Sequence, residues 1–548
     1  MSSLLFATFC SLCHNRLTKH PLQNFVQIII LDKTMSEQVE RQYSNRLYVG
    51  KRRLDFSPFE ASLKTLSALQ IAQLDQKLLT AEVRQVQEML KAGELTSAQL
   101  VLYYLHRIQF YDMDKLNSVL ELNPAALEIA RERDEARQVQ KVVGLLYGIP
   151  ILLKDNIGTG DKLHNTAGAK VLENSRADQD AFLVKQLRAA GAIILGKTNL
   201  SEWANYMTSV SASGFSVLGG QTKNPYGEFD VGGSSSGSAS AIAANLAMLT
   251  IGSETAGSLV SPASQNSLVT IKPSLGLVSR DRIIPITAAQ DTAGPLARTV
   301  SDMAILFSAM VGYDTTDPLT EVARKLEGTD FTQFLDKDGL KGLKIGLVES
   351  PNPEKFGEAQ QKLGQMLVEA GAVVKELALP DATNLRQGDY GLDYLPVLTY
   401  GIKHDLAKYF ASIGESNLKS LEEVVEFNNK DLANRAPFGQ DLLIEAVSSE
   451  MTEAEYQARV QTNQQISRQL IEGLLEENEV ELIASINNGF TKYYAPAGYP
   501  AVAVPMAYRE SGEPLGLTLI GRYLDDGKLI KAAYAFEQKH PVRRNPTI

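Results

Sequence analysis

Apolar residues recur with two different periods along this chain, and the periods separate predicted helices from predicted strands. Helical spacing runs through the segment AQLVLYYLHRIQFY, which follows a capping-box pattern between Thr96 and Gln99. Asn123 and Pro124 precede a second helical segment, AALEIARERDEARQ. The pattern therefore predicts that residues 80–140 are helical.

From Gly144 onward the pattern changes to short apolar runs that alternate with helical segments. The segment LLYGIPILLKDNIG contains an apolar run bounded by Gly and Pro, which is typical of a buried strand that ends in a loop. A helix (AFLVKQLRAAG), a strand (AIILGK), a helix (SSGSASAIAANLAM) and a strand (LTIG) follow in order. This alternation predicts an α/β core built on a parallel or mixed sheet.

The second half of the chain also shows helical and strand patterns, which lie on both sides of a long charged region. Residues 344–348 and 372–379 read as strands that flank a helix, and residues 395–480 read as a mostly helical cap or insertion. Strands return at 501–505 and 515–520, before a closing helix, LIKAAYAFEQ. We find no internal repeat and no long linker, so we expect a single large domain.

Composition narrows the possible function classes. The 548 residues include 54 Lys and Arg against 64 Asp and Glu, and this acidic balance argues against nucleic-acid binding. No apolar run reaches the roughly 18–20 residues that a membrane-spanning helix needs. Two cysteines exclude a disulfide scaffold. We expect a cytoplasmic protein that is a monomer or a homodimer.

Both cysteines lie in the N-terminal tail, where Cys10, Cys13 and His14 match the haem-attachment spacing C-x-x-C-H. The match is short, and neither a basic n-region nor an A-x-A cleavage site accompanies it. Because Met35 opens a more typical start, we expect residues 1–34 to be an unstructured leader or a misassigned start. Residues 35–79 would form an N-terminal arm, and we expect no haem, metal or other cofactor.

A Ser- and Gly-rich tract between Phe215 and Ser240 is the clearest compositional anomaly. It has the glycine spacing of a phosphate loop, but Ser238 stands where that loop needs Lys. It also contains G-x-S-x-G, which would make Ser235 the nucleophile of an elbow with His404 or His540 as its base. A glycine-rich turn that begins a helix is the simplest structural explanation.

Two further segments change this picture. A second Ser- and Gly-rich motif spans residues 252–258, and Lys154 follows the apolar run IPILL. A lysine at the end of a buried strand has a lowered pKa, because burial disfavours its charged form, and it can then serve as a base. Alternatively, Lys154 could extend its ammonium group to the surface.

Together these segments resemble the amidase signature family of serine hydrolases. The resemblance covers residues 80–546 and is densest at 148–303. It is carried by GIPILLKDNI, by GGSSSGSASAIAAN followed by IGSETAGSLVSPASQNS, by the stretch IKPSLGLVSRDRIIPITAAQDTAGPLARTVSD, and by AGYPAVAVP and AYAFEQ. The segments NLSEWANYMTS and GGQTKNPYGEFDVGGSSSGS look closest to the bacterial branch that includes peptide amidases.

The resemblance implies a large mixed β-sheet core surrounded by α-helices, and a Ser-Ser-Lys triad. Ser258 would be the nucleophile, Ser234 the bridging serine after a cis peptide bond from Gly233, and Lys154 the general base. Such an enzyme hydrolyses a small-molecule or peptide carboxamide to a carboxylate plus ammonia or an amine through an acyl-enzyme. The oxyanion hole would consist of the backbone N–H groups of Thr255, Ala256, Gly257 and Ser258.

The chain departs from the family pattern at three positions. Ala256 stands where many members have Gly, Thr270 stands where Gly is usual, and Leu259 stands where the A subunits of amidotransferases carry Arg. Two alternatives therefore stay open: a glutaminase that resembles the A subunit of glutamyl-tRNA amidotransferases, and a non-catalytic binding member of the fold.

The sequence also suggests which residues surround the triad. We expect Asp155, Asn156 and Asp291 to support the site rather than to react. We expect the 205–220 loop and parts of the 395–490 helical region to line the substrate pocket.

Overall fold

An eleven-stranded mixed β-sheet runs through the middle of the molecule. The computed structural model describes residue 48 and residues 50–139, 144–380, 386–387, 390–413 and 418–548. In these residues the strands are β1 (Val119–Leu122), β2 (Pro150–Lys154), β3 (Ile193–Thr198), β4 (Phe215–Ser216), β5 (Gly220–Gln221), β6 (Leu249–Glu254), β7 (Val269–Lys272), β8 (Thr292–Ala297), β9 (Lys344–Val348), β10 (Val373–Leu377), β11 (Arg386–Gln387), β12 (Tyr390–Gly391), β13 (Leu482–Ile486), β14 (Ala501–Tyr508) and β15 (Pro514–Ile520).

The strand order in the large sheet is β1-β3-β2-β6-β8-β7-β14-β15-β13-β9-β10. Strand β2 pairs in parallel with both β3 and β6, and β9 pairs in parallel with β10 and β13. The pairs between β6 and β13 in this order are antiparallel. The expected mixed sheet is thus confirmed, and its strands come from both halves of one domain.

Helices cover the sheet. They are α1 (Glu60–Leu63), α2 (Ala68–Leu78), α3 (Val83–Ala92), α4 (Ser97–Arg107), α5 (Ala126–Val139), α6 (Phe182–Ala189), α7 (Ser236–Ala243), α8 (Val260–Gln265), α9 (Val300–Ser308), α10 (Pro353–Glu369), α11 (Leu395–Ser412), α12 (Leu421–Asn429), α13 (Leu432–Arg435), α14 (Asp441–Ser448), α15 (Glu453–Glu477), α16 (Thr491–Ala497) and α17 (Asp526–Lys539). The turn Glu202–Asn205 is also helical, but Trp203 and Ala204 have left-handed backbone angles there. In the described part of the chain, no helix is both long and apolar enough to cross a membrane.

The secondary structure predicted from the strongest local sequence patterns is confirmed. The capping box at α4 forms, because the Thr96 hydroxyl accepts from the N–H of Gln99 and the Gln99 side chain accepts from the N–H of Thr96. Most of the described residues between 395 and 480 are helical, as expected, in α11–α15. The apolar run that ends at Lys154 is strand β2, and all five of its residues are buried.

The prediction that residues 80–140 form helices is wrong where strand β1 lies. Residues 108–116 form a π-helical segment in which Met113 and Asp114 leave helical angles, and strand β1 follows directly. Strand β1 pairs antiparallel with β3 at the edge of the sheet. Four residues are too few to show a period, so neighbouring backbone rather than pattern determines this strand.

The N-terminal arm packs onto the domain where the structure describes it. Phe59, Leu63 and Leu78 are buried in the same apolar cluster as the central strands. Residues 1–34, with the Cys10-Cys13-His14 motif, lie outside the described residues. The boundaries at residues 34, 79 and 546 stay predictions.

Candidate active site

Strand pairing brings the lysine motif and the second Ser- and Gly-rich motif to one edge of the sheet. Strands β2 and β6 are parallel neighbours, so their carboxyl ends lie side by side. Lys154 is the last residue of β2, and Glu254 is the last residue of β6. The loop that carries Ser258 therefore begins next to the side chain of Lys154.

The amine of Lys154 is enclosed by serine oxygens. Its Nζ lies 2.7 Å from the hydroxyl oxygen of Ser234, 3.1 Å from that of Ser235 and 2.9 Å from that of Ser253. The carbonyl oxygen of Ser253 lies 3.2 Å away. Burial lowers the pKa of Lys154 to about 7, although the negative charges of Asp291 and Glu254 act in the opposite direction.

The bridging position predicted for Ser234 is set by the loop before helix α7. The Gly233–Ser234 peptide bond is cis, as the family resemblance implies. The carbonyl oxygen of Ser234 accepts a hydrogen bond of 3.1 Å from the N–H of Ser201, and the whole residue is buried. Its hydroxyl is thereby held against Lys154.

The loop of residues 255–258 connects β6 to helix α8 and carries the predicted nucleophile. Ser258 is 8% exposed, and its carbonyl oxygen accepts a hydrogen bond of 3.2 Å from the N–H of Ser235. Gly257 has a φ of +86°, which favours glycine over other residues. Within the described part of the chain, the N–H groups of Ala256, Gly257 and Ser258 donate to no protein acceptor, so they are available to an oxyanion.

The competing role for Ser235 finds no support in the geometry. The Ser235 hydroxyl donates to the carbonyl oxygen of Ser253 at 3.0 Å and accepts from the N–H of Ser253 at 3.2 Å. His404 instead stacks on Tyr400, and the ring of His540 lies 2.9 Å from the carbonyl oxygen of Met366. The structure thus separates the elbow serine from both histidines.

Ser238 stands where a phosphate loop needs Lys, and its hydroxyl is engaged in hydrogen bonds within the protein. Ser238 is buried, and its hydroxyl donates to the carbonyl oxygen of Ile251 at 3.1 Å. It shares a second hydrogen bond with the Thr198 hydroxyl. Ser238 therefore joins helix α7 to strands β3 and β6.

Asn156 and Asp291 surround the Lys154 site in supporting positions. Asn156 donates to the Ser253 hydroxyl at 3.0 Å and to the carbonyl oxygen of Ile284 at 3.3 Å. One oxygen of Asp291 accepts from the N–H groups of Ile286 and Thr287, at 2.8 and 2.9 Å, and the other accepts from the Thr255 hydroxyl. Burial raises the pKa of Asp291 to about 6.

Asp155 stands on the other side of the lysine motif. Its side chain accepts from the Thr166 hydroxyl and from the N–H of Gly168. Burial raises the pKa of Asp155 to about 6, while the charge of Lys197 lowers it. These contacts place Asp155 in the packing around strand β2.

Sequence reasoning missed two residues of this site, Ser253 and Glu254. Ser253 contacts Lys154 through both its hydroxyl and its carbonyl oxygen. One oxygen of Glu254 accepts from the N–H groups of Leu259 and Val260, at 2.8 and 3.2 Å, directly behind Ser258. The sequence did contain a signal for these two residues: parallel pairing of the strands predicted at IPILL and LTIG would have placed them beside Lys154.

The structure shows the surroundings of Thr270 and Ala256, two positions at which the chain differs from the family pattern. The Thr270 hydroxyl donates to the carbonyl oxygen of Pro295 at 2.7 Å, across the β7–β8 pair. The Ala256 methyl group is half-buried and packs against an apolar cluster. The surroundings of both side chains accommodate them.

A cavity of about 470 Å³ opens at the same edge of the sheet. Asn156, Ser253 and Thr255 are among its lining residues, so the cavity borders the predicted oxyanion loop, whereas Lys154, Ser234 and Ser258 are not part of the lining. The segment 280–292 and helix α11 supply most of its remaining wall, so part of the 395–490 region does border it. The 205–220 loop lines a separate, smaller cavity with Glu202 and Phe438.

Comparison with known proteins agrees with this geometry. The Amidase family model matches residues 99–486. A probable amidase of Arabidopsis thaliana is 38% identical over 474 residues, which covers 85% of this chain and 91% of that protein. An amidase family protein from Bacillus anthracis str. Ames has a crystal structure that superposes with a TM-score of 0.85 at 40% identity, covering 90% of this chain and 97% of that one.

A second solved structure is similar to the same extent in sequence. The native peptide amidase from Stenotrophomonas maltophilia superposes with a TM-score of 0.79 at 39% identity. The match covers 85% of this chain and 98% of the peptide amidase. The motifs, the fold and these similarities lead to one conclusion: the chain belongs to the amidase signature family.

Proposed function

We propose that this protein hydrolyses linear carboxamides through an acyl-enzyme on Ser258, with Ser234 as the bridging serine and Lys154 as the base. The observation that carries the proposal is the 2.7 Å contact between the Lys154 amine and the Ser234 hydroxyl in a fully buried site. A serine hydroxyl needs a base before it can attack an amide, and a neutral lysine amine can supply one.

Acylation begins with two coupled proton transfers. The lone pair of neutral Lys154 takes the Ser234 proton while the Ser234 oxygen takes the Ser258 proton. The Ser258 oxygen forms a bond to the carbonyl carbon, and the carbonyl π electrons move to oxygen. The proton then returns through Ser234 to the amide nitrogen, the C–N bond breaks, and ammonia or an amine leaves.

Deacylation uses the same groups in the same order. Water attacks the acyl carbon while its proton passes through Ser234 to Lys154. The bond between the acyl carbon and the Ser258 oxygen then breaks, and the proton returns from Lys154 through Ser234 to that oxygen. The carboxylic acid formed in this step loses its remaining proton to solvent and leaves as a carboxylate. No other group has to change its protonation state.

The oxyanion of each tetrahedral intermediate would lie against the loop of residues 255–258. The available N–H groups of Ala256, Gly257 and Ser258 would stabilise its charge, together with that of Thr255. Glu254 supports this arrangement because it binds the N–H groups of the two residues that follow Ser258. Loss of one oxyanion donor costs on the order of 3 kcal/mol of transition-state stabilisation.

The role of a glutaminase is less favoured. The position that is Arg in the A subunits of amidotransferases is Leu259 here, and its side chain is fully buried in an apolar cluster. It offers no cation to the carboxylate of glutamine. A purely binding role is less favoured too, because Lys154, Ser234 and Ser258 are all present.

Covalent labelling with a fluorophosphonate, followed by mass spectrometry, tests the proposal. The wild-type protein should carry the adduct on Ser258 and should release ammonia from a neutral primary amide. Ser258→Ala should abolish both signals. Lys154→Ala should slow labelling at least about a hundredfold, in line with the usual contribution of a general base.

The same experiment separates the alternatives. An adduct on Ser235 would support the elbow mechanism, and absence of labelling in a folded protein would support a binding role. Ammonia release from glutamine alone would support the glutaminase role. Cytoplasmic location and a monomeric or homodimeric state stay predictions from the sequence.

A further inference from the structure

We propose that the cavity beside Thr255 selects amides with an uncharged acyl group and rejects amides whose acyl group carries a carboxylate. The inference rests on the proposed function and names the substrate class of the same site. It depends on how the charged side chains that line the cavity are paired. Three of these side chains are cationic: Arg280, Arg282 and Lys408.

The guanidinium group of Arg280 is fully engaged within the chain. It forms a two-point ion pair with Asp317, with contacts of 2.8 Å from Nε and 2.6 Å from Nη2. Its third nitrogen, Nη1, donates to the carbonyl oxygen of Ala288. Asp317 also lines the cavity, so the local charge is neutral.

Arg282 and Lys408 also have carboxylate partners, although the Lys408 side chain is 75% exposed and its ion pair is screened by water. Arg282 contacts Asp178 at 2.9 and 3.2 Å and Asp281 at 2.7 and 2.9 Å. The Lys408 amine lies 3.0 Å from a carboxylate oxygen of Asp405, whose other oxygen accepts from the N–H of Ala288. Each cation of the lining therefore has its own carboxylate.

Two carboxyl groups of the lining have no counter-charge in contact, although the charge of Arg280 acts on Asp291 and that of Lys272 acts on Glu254 over a longer distance. In the described part of the chain, neither Glu254 nor Asp291 forms a salt bridge, and both accept hydrogen bonds from uncharged donors. Lys154 does not line the cavity, and in the proposed mechanism it must be neutral. The charge near the oxyanion loop is thus negative, and it would repel a substrate carboxylate.

The remaining wall suits an apolar group. The lining includes the apolar residues Ile283, Ile284, Pro285 and Ile286, together with Tyr409 of helix α11. An alkyl or other neutral chain would gain from leaving water here. A carboxylate on that chain would lose its hydration without finding a free cation.

Three primary amides of similar length test the selectivity: heptanamide, 6-hydroxyhexanamide and adipamate (6-amino-6-oxohexanoate). We expect kcat/KM for ammonia release to be at least about a hundredfold lower for adipamate than for heptanamide, because the transition state of the charged substrate is bound more weakly by the same factor. The hydroxy compound separates polarity from charge and should lie much closer to heptanamide. Equal rates for heptanamide and adipamate would overturn the inference.

A charge-releasing variant provides a test that is specific to this chain. Asp317→Asn keeps the size of the side chain and leaves Arg280 without its carboxylate, so the ratio of adipamate to heptanamide activity should rise at least about tenfold. Asp405→Asn should raise the same ratio by releasing Lys408. Glu472→Gln is the control, because it breaks a similar pair, with Arg522, away from the cavity. An unchanged ratio in both test variants would contradict the inference.

Two matched fluorophosphonates, with a hexyl and a 5-carboxypentyl chain, make the result independent of amide turnover. If Ser258 reacts with neither probe and no amide is hydrolysed, the proposed function fails. If Ser258 reacts equally fast with both, the proposed function stands and the selectivity inference fails. At least about tenfold faster reaction with the hexyl probe supports both.

Discussion

The Nζ atom of Lys154 lies 2.7 Å from the Oγ atom of Ser234, and both side chains are fully buried. The amine meets only serine oxygens, so no carboxylate in direct contact holds it in its charged form. Lys154 can therefore exchange its proton near neutral pH, where an exposed lysine would stay charged.

The first prediction concerns the pH dependence of catalysis. The proposed base is active only when Lys154 is neutral, and burial lowers its pKa to about 7. We expect kcat/KM to rise from acid toward alkaline pH with a midpoint near pH 7, measured with a neutral amide. A flat profile between pH 6 and pH 9 would contradict this role for Lys154.

Asp291 should tune that midpoint. Its negative charge favours the charged form of Lys154, so Asp291→Asn should lower the pKa of Lys154 and move the midpoint to lower pH. The amide can still accept from the N–H groups of Ile286 and Thr287. Asp336→Asn removes a carboxylate that pairs with Lys531 on the surface, and it should leave the midpoint in place.

The same lysine should reduce the stability of the fold. Between pH 7 and the ordinary lysine pKa of 10.5, the unfolded chain binds a proton at Lys154 and the folded chain does not. The contribution of Lys154 to the free energy of unfolding therefore increases as pH rises through this range. Lys154→Met should be more stable than wild type at pH 7, and the difference should shrink toward pH 10. Denaturant unfolding at a series of pH values measures it, and a constant difference would count against the lowered pKa.

Tyr494 should position the nucleophile loop through Glu254. Its hydroxyl donates to Glu254 at 3.1 Å, and the other oxygen of Glu254 binds the N–H groups that follow Ser258. We expect Tyr494→Phe to lower kcat about tenfold with little change in KM, since one hydrogen bond to a charged group is lost. Tyr523→Phe, which removes a hydrogen bond to Leu275 elsewhere, should leave kcat unchanged. A change confined to KM would argue against this positioning role.

Gly257 offers a test of the oxyanion loop. Alanine at this position would be strained by about 1–2 kcal/mol at a φ of +86°, and its Cβ would meet Thr491 at 3.4 Å. Gly257→Ala should therefore reduce both amide hydrolysis and the labelling rate of Ser258. Gly93→Ala is the matched control, because Gly93 has a φ of +72° with open space around it and lies at the end of α3. If both variants lose activity equally, the loop has no special role.

The family resemblance of its motifs assigned most residues of the candidate site, and two of these motifs lie at the ends of buried strands. Lys154 and the loop of residues 255–258 follow the runs IPILL and LTIG, and parallel pairing brings such ends together. The sequence could not reveal strand β1, whose four residues depend on pairing with β3. It also could not reveal that Arg280 pairs with Asp317, because that contact is set by the path of two loops rather than by any local pattern.

The cavity is assembled from parts of the chain that differ from those that carry the proposed triad. Lys154, Ser234 and Ser258 all precede residue 260, while most of the wall comes from 280–292 and from helix α11. Residues 395–412 could therefore change over evolution without altering the environment of the Lys154 amine. Asp291 links the two parts, since it borders the cavity and also acts on the charge of Lys154. A fold divided in this way can acquire new substrates while it keeps one reaction.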